Sequence, residues 1–178
     1  MRTCQRILIM ADTHGFLDPR IATWAGRCDT VVHAGDIGGS GIIAELRRSA
    51  PRVIAIRGNN DTPENWRDGG ASALEALGWE ACVSLLGGCL AVVHGHQAPA
   101  ARRHRWLRRR FPESRAIVYG HSHRMIVDRQ ATPWILNPGA SGRSRTFGGP
   151  SCLWLQATPG TWQVRVIRYP PLPPRGKY

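Results

Sequence analysis

The sequence predicts an α/β domain whose first half is rich in parallel strands and whose second half is rich in hairpins. Two observations predict it. Short, almost wholly apolar runs alternate with helix-like stretches through the first half, and in the second half apolar runs follow one another across glycine and proline turns. Wholly apolar strands separated by helices are the pattern of a largely parallel sheet covered on both faces.

Ile7-Leu8-Ile9-Met10 reads as a buried strand ending at Asp12. Pro19 to Arg27 reads as a helix, with Asp18 as its N-cap and Pro19 in the first turn, where a missing N–H costs nothing. Thr30 to His33 is the second strand, ending at Gly35-Asp36, and Ile42 to Arg48 the second helix. Val53 to Ile56 is the third strand, ending at Gly58-Asn59. Cys82 to Leu86 and Cys89 to Val93 form a hairpin across Gly87-Gly88, followed by an arginine-rich helix and a strand from Ala116 to Tyr119. Short strands are expected at Ile126-Val127, Trp134 to Leu136 and Cys152 to Leu155, the last paired with Trp162 to Ile167 across Thr158-Pro159-Gly160. Residues 1–169 are expected to form one domain, and 170–178, with four prolines, a loosely held tail.

A chain of 178 residues can bury enough surface to need no covalent staples. The five cysteines are scattered, without C-x-x-C spacing, which argues against a disulfide framework and against a zinc ribbon. Most are expected to be small buried hydrophobes. No apolar run approaches the ~20 residues of a membrane span, and the first residues lack a secretory h-region, so a cytoplasmic location without membrane contact is expected. The formal charge of +12 is carried by arginine, because Lys177 is the only lysine. Positive charge on this scale draws phosphate-bearing molecules to the surface. The densest run, residues 102–110, reads either as a solvated helix face or as contact with a phosphate-rich partner such as nucleic acid, since Trp106 stands among the cations.

The informative fact is positional. Each strand stays apolar up to its C-terminal end and there delivers Asp, Asn or His beside Gly: Asp12-Thr13-His14-Gly15, Gly35-Asp36, Gly58-Asn59-Asn60-Asp61, His94-Gly95-His96 and Gly120-His121-Ser122-His123. Carboxyl ends of strands line the ligand crevice of open α/β sheets, so the five clusters can converge on one site. A fold seldom gathers so many polar groups without a partner that neutralises them. Mixed nitrogen and oxygen donors without thiolate suit manganese, nickel, iron, zinc or cobalt, and seven such donors suit two ions that share a carboxylate. Two ions ~3.5–4 Å apart grip phosphate oxygens and acidify a bridging water, which points to phosphoester hydrolysis.

The ordered set D-x-H, GD, GN-x-D, H-G-H and GH-x-H resembles the calcineurin-like metallophosphoesterase superfamily. The stretches "GNND", "VVHGH", "VYGHSH" and "NPGA" resemble its small single-domain phosphodiesterase subgroup. The resemblance spans about Ile7 to Ala140 and implies a four-layer α/β/β/α sandwich. It implies that Asp12, His14, Asp36 and His123 hold one divalent ion, and that Asp36, Asn59, His94 and His121 hold the other, with manganese the first expectation. A hydroxide bridging the ions would attack phosphorus while Asn59 helps to hold the non-bridging oxygens. His96 is a further catalytic candidate, by substrate contact or by support of a ligand, and His33 is expected to pack behind the ligands.

One position departs from larger relatives, which carry a proton-donating His where this chain has Asn60. An amide supplies no proton, so good leaving groups or another acid are implied. Arg143 and Arg145, after the Asn137-Pro138-Gly139 turn, are candidates to clamp a substrate phosphate. The expected substrate is a small phosphodiester or nucleotide. Two other readings stay open: a catalytically weak scaffold of the same fold, and a nuclease or nucleic-acid binder that uses the arginine run.

Overall fold

The computed structural model describes residues 3–66 and 70–173. Strand β1 (Gln5–Met10) is apolar on both faces, and Ile7, Leu8, Ile9 and Met10 are wholly buried. It pairs in parallel with β2 (Thr30–His33), which pairs in parallel with β3 (Val53–Ala55). The remaining strands are β4 (Glu80–Leu85), β5 (Gly88–Val93), β6 (Ala116–Val118), β7 (Ile126–Asp128), β8 (Trp134–Asn137), β9 (Ser151–Ala157) and β10 (Trp162–Arg168). They form two mixed sheets, ordered β10-β9-β1-β2-β3 and β4-β5-β6-β8-β7.

Three apolar clusters define four layers. Ile7, Ile9 and Val32 of the first sheet pack against Leu90, Val92, Val118 and Leu136 of the second. The opposite face of the first sheet, with Leu8, Met10 and Val31, is covered by Ile21 of α1 (Pro19–Ala22) and by Ile42, Ile43 and Leu46 of α2 (Ser40–Ser49). The outer face of the second sheet, with Val93, Ile117 and Ile135, receives Leu107 of an arginine-rich helix. The expected α/β/β/α sandwich is therefore present, with the inner faces of the two sheets packed on each other. An apolar strand shows that both its faces are buried, and cannot show what buries them.

Local signals fared unevenly. Asp18 caps α1 as expected, its carboxylate accepting from the Arg20 N–H at 2.9 Å. The helix ends at Ala22, however, and a separate 3₁₀ turn spans Ala25–Arg27. The Thr23 hydroxyl donates back to the Arg20 carbonyl at 2.8 Å, the kind of local bond that competes with helix continuation. A short helix, α3 (Ala71–Glu75), was not anticipated. The arginine run forms a 3₁₀ turn (Ala100–Arg102) leading into α4 (Arg103–Arg110). The expected hairpins β4–β5 and β9–β10 are both antiparallel pairs.

Cys82 and Cys89 are bonded as a disulfide across the β4–β5 hairpin, against the expectation of unpaired cysteines. A single bridge between neighbouring strands leaves no spacing pattern to read. Cys28 and Cys152 are buried as expected, whereas Cys4 is exposed. At the C-terminus, the Pro170 and Pro173 carbonyls accept bonds from Arg20 and Arg143, and residues 174–178 of the expected tail lie outside the described residues. Among the described residues no helix is long and apolar enough to cross a membrane.

Asp18 is wholly buried and holds the Arg20 guanidinium with both oxygens, at 2.9 and 2.8 Å. Asp18→Ala is expected to lower the unfolding free energy by about 1–2 kcal/mol, and Asp18→Asn, which keeps a capping oxygen, by less. Urea unfolding of the two variants measures the difference.

Candidate metal centre

Parallel pairing places the C-terminal ends of β1, β2 and β3 along one edge, and those of β5, β6 and β8 along one edge of the facing sheet. The pairing continues past the strand ends. Asp12 N–H donates to the Gly35 carbonyl at 3.0 Å, His14 N–H to Asp36 at 2.9 Å, and Gly120 N–H to His94 at 3.1 Å. The clusters after the strands are thus held in register by backbone.

Their backbone is unusual as well. Asp12, His14, Asp36, His121 and His123 all have left-handed φ values, between 48° and 64°. Such conformations cost non-glycine residues of order 1 kcal/mol or more and persist where the surroundings enforce them. The neighbouring glycines are steric requirements. A Cβ on Gly35 would lie 2.7 Å from His94 Nδ1, one on Gly120 would lie 3.0 Å from Asp12 Oδ2, and one on Gly58 would overlap the Asp36 carboxylate.

Donor atoms of Asp12, His14 and His123 lie within 4.8 Å of one another, and so do those of Asp12, Asp36 and His94. Asp36 Oδ2 is the hub: His94 Nε2 stands 3.3 Å from it, His14 Nε2 3.8 Å and Asn60 Nδ2 2.6 Å. On the other side, His123 Nε2 is 3.1 Å from His14 Nε2 and 3.4 Å from Asp12 Oδ1. Two tautomers follow from their partners. His94 Nδ1 lies 2.8 Å from the Ala34 carbonyl and His123 Nδ1 3.1 Å from that of Ser144, so both Nδ1 atoms carry the proton. In the neutral rings each Nε2 therefore turns a lone pair into the pocket.

Asp12 Oδ2 and His94 Nε2 are buried without any hydrogen-bond partner. Burial pushes the Asp12 carboxyl up to about 7, opposed by the charge of His94 and assisted by that of Asp36. Burial presses Asp36 upward too, yet the His94 imidazole 3.3 Å away and hydrogen bonds from Asn60 hold it well below the usual carboxylate range. His121 and His123 are lowered to about 4, first by burial and then by the neighbouring cations His94 and Arg145 respectively. Unpartnered buried lone pairs beside carboxylates of opposite tendency fit divalent cations, which satisfy the donors and neutralise the charge together.

His121 and Asn59 stand apart from these groups. His121 Nδ1 donates to Asn59 Oδ1 at 2.9 Å, and its ring lies 5.3 Å from that of His94. His96 flanks them, its ring 5.7 Å from that of His94, 6.2 Å from that of His121 and 5.9 Å from that of Trp79. His33 packs behind the centre against Thr13 Oγ1 at 2.9 Å.

Three further residues show roles that the sequence did not reveal. Both the backbone and side-chain N–H groups of Asn60 donate to Asp36, so this residue braces the hub carboxylate. Asn137 donates to the Gly120 carbonyl at 2.8 Å and thereby holds the turn that carries His121 and His123. Asp61 accepts from Gly38 and Gly58, tying together the loops after β2 and β3. The expected arginine clamp divides. Arg145 lines a cavity of about 360 Å³ with His14, Asn60, Asp61 and Glu64, and its guanidinium is 3.2 Å from His123 Nε2. Arg143 instead stacks over Phe16 at 5.0 Å and bonds to Pro173.

The fold and the site together define a two-sheet α/β sandwich with a histidine–carboxylate centre at its strand ends. Residues 6–159 match the family model of the calcineurin-like phosphoesterase superfamily domain, and the chain belongs to that superfamily. The family implies divalent metal ions at this centre. Among solved structures, the chain is similar to a novel archaeal phosphodiesterase, with 20% identity, a TM-score of 0.68, and 91% of this chain and 99% of that chain covered. A predicted phosphoesterase from Streptococcus pneumoniae gives 18% identity and a TM-score of 0.68, covering 98% and 96%. Vps29 of Entamoeba histolytica complexed with zinc gives 17% identity and a TM-score of 0.67, covering 92% and 98%. At these identities the likeness is one of fold. No curated protein sequence matches the chain.

Gly58→Ala is expected to displace Asp36 and to weaken manganese or zinc binding at least tenfold in calorimetric titration. Gly160→Ala, whose Cβ would meet nothing within 4 Å, is expected to bind as the parent does.

Proposed function

We propose that the chain is a phosphodiesterase that works with two divalent cations, manganese foremost and nickel, iron, zinc or cobalt also compatible. The observation that carries this reading is the buried meeting of Asp36, His94 and Asp12, with two donor atoms left without protein partners. In this reading Asp12, His14, Asp36 and His123 hold one ion, and Asp36, Asn59, His94 and His121 the other. When bound, the ions supply Lewis acidity toward phosphate oxygens and lower the pKa of water between them.

The protein's own groups set the rest. Asp36 keeps its charge because His94 lies close beside it and Asn60 hydrogen-bonds to it, so it remains available to both ions. Asn59 turns its side chain to the His121 side, where it can orient a phosphate oxygen, and Arg145 faces the same oxygens from the His123 side. His96 is placed to contact an ester arm. The Asn60 amide donates a hydrogen bond to Asp36 and, being an amide, supplies no proton to a leaving group. Esters with good leaving groups are therefore the preferred substrates, among small phosphodiesters and nucleotides. A cytoplasmic location belongs to the same reading.

A scaffold is the second reading, favoured by the likeness to a vacuolar sorting protein. The complete set of candidate ligands supports catalysis over it.

Bis-p-nitrophenyl phosphate hydrolysis, measured after chelation and re-supply of single metals, tests the proposal. Turnover is expected to require metal, to exceed that of p-nitrophenyl phosphate, and to fall by at least 10³-fold in Asp36→Ala, of the order seen when a transition-state contact is lost. Turnover that survives chelation or Asp36→Ala would reject it.

A further inference from the structure

The six arginines of residues 102–110 divide into two sets. Arg103 is buried and donates to the Gly95 and Ala98 carbonyls at 2.6 and 3.2 Å. Arg108 pairs with Asp128 at 2.7 Å and Arg110 with Glu80 at 2.9 Å. These three pin α4 to the domain. Arg102, Arg105 and Arg109 are exposed, and among the described residues their side chains have no hydrogen bond or ion pair.

The second set shares a face. Positions 105, 106 and 109 share one side of α4, and Arg102 closes the 3₁₀ turn immediately before it, an i, i+3, i+4, i+7 spacing about 10 Å long. Their side chains, with Gln97 and Pro99, line a groove of about 390 Å³, and no carboxylate lines it. Trp106 sits among the three cations, its inner part packed on the outer core beside Leu107. Gln97, which lines the groove, directly follows His96.

We infer that this groove is a binding site for single-stranded nucleic acid, with Arg102, Arg105 and Arg109 on backbone phosphates and Trp106 stacked on a base. Free guanidiniums unopposed by acids suit a polyanion, and an anchored indole between them suits an unpaired base. A duplex keeps its bases stacked inside, and an acidic peptide offers no π-face for Trp106. The inference does not depend on the proposed hydrolase activity.

Fluorescence anisotropy with a labelled single-stranded DNA oligomer, in EDTA and across a range of NaCl concentrations, tests it. Binding is expected to weaken linearly in log–log form, and replacing Arg102, Arg105 and Arg109 together by Gln to reduce that slope by about 2, at ~0.7 per phosphate contact on a single strand. Trp106→Leu is expected to weaken binding on the order of 5- to 100-fold with the slope unchanged. Replacing the exposed Arg47, Arg48 and Arg52 by Gln removes the same charge elsewhere and is expected to leave the slope nearly as it was. Far-UV circular dichroism and melting confirm that each variant is folded. A flat salt response, equal effects of the two arginine triples, or equal affinity for polyglutamate or duplex DNA would overturn the inference.

Discussion

Asp36 ends the second strand of one sheet with its carboxylate in a pocket where His94 of the facing sheet, His14 and Asn60 all approach the same oxygen. Placing a charged carboxylate there, beside a buried Asp12, is costly without compensation, because solvation is lost and like charges are drawn together. Much of the surrounding structure can be understood as that compensation. Asn60 and His94 stabilise the Asp36 charge, while burial, assisted by that charge, raises the Asp12 carboxyl to about 7. Cations complete the balance, since they alone satisfy both carboxylates and the outstanding imidazole lone pairs at once.

The same constraint explains the backbone. A side chain at a strand end reaches a common point only if the chain turns sharply there, and five of the seven candidate ligands do so through left-handed conformations. Gly35 and Gly120 are required because ligands of the opposite sheet occupy the space a Cβ would take, and Gly58 because Asp36 of its own sheet does. The sandwich supplies the rigidity: the core between the sheets fixes the distance between the Asp36 and His94 strand ends, and Asn137 and Asp61 tie the loops laterally.

Much of this was legible because strand ends write themselves plainly: an apolar run that stops at Asp or His beside Gly is a local pattern. The Asp18 cap and the two antiparallel hairpins were equally local. What the sequence hid was non-local. Nothing in β1 distinguishes a face covered by helices from one covered by a sheet, and nothing in Asn60 distinguishes a missing acid from a brace on Asp36. Arg143 and Arg145 look alike in sequence, yet a two-residue offset sends one to Phe16 and the other to the centre. The Cys82–Cys89 pairing likewise depended on hairpin register.

If Asp36 is the shared ligand of two ions, the number of metals bound is the most direct observable. Metal content after loading with manganese, measured by mass spectrometry on the parent chain, Asp36→Ala and His123→Ala, separates the possibilities. The account predicts about two ions per parent chain, close to none in Asp36→Ala and about one in His123→Ala, following the ratio of sites each residue serves. Equal metal content in all three would contradict it.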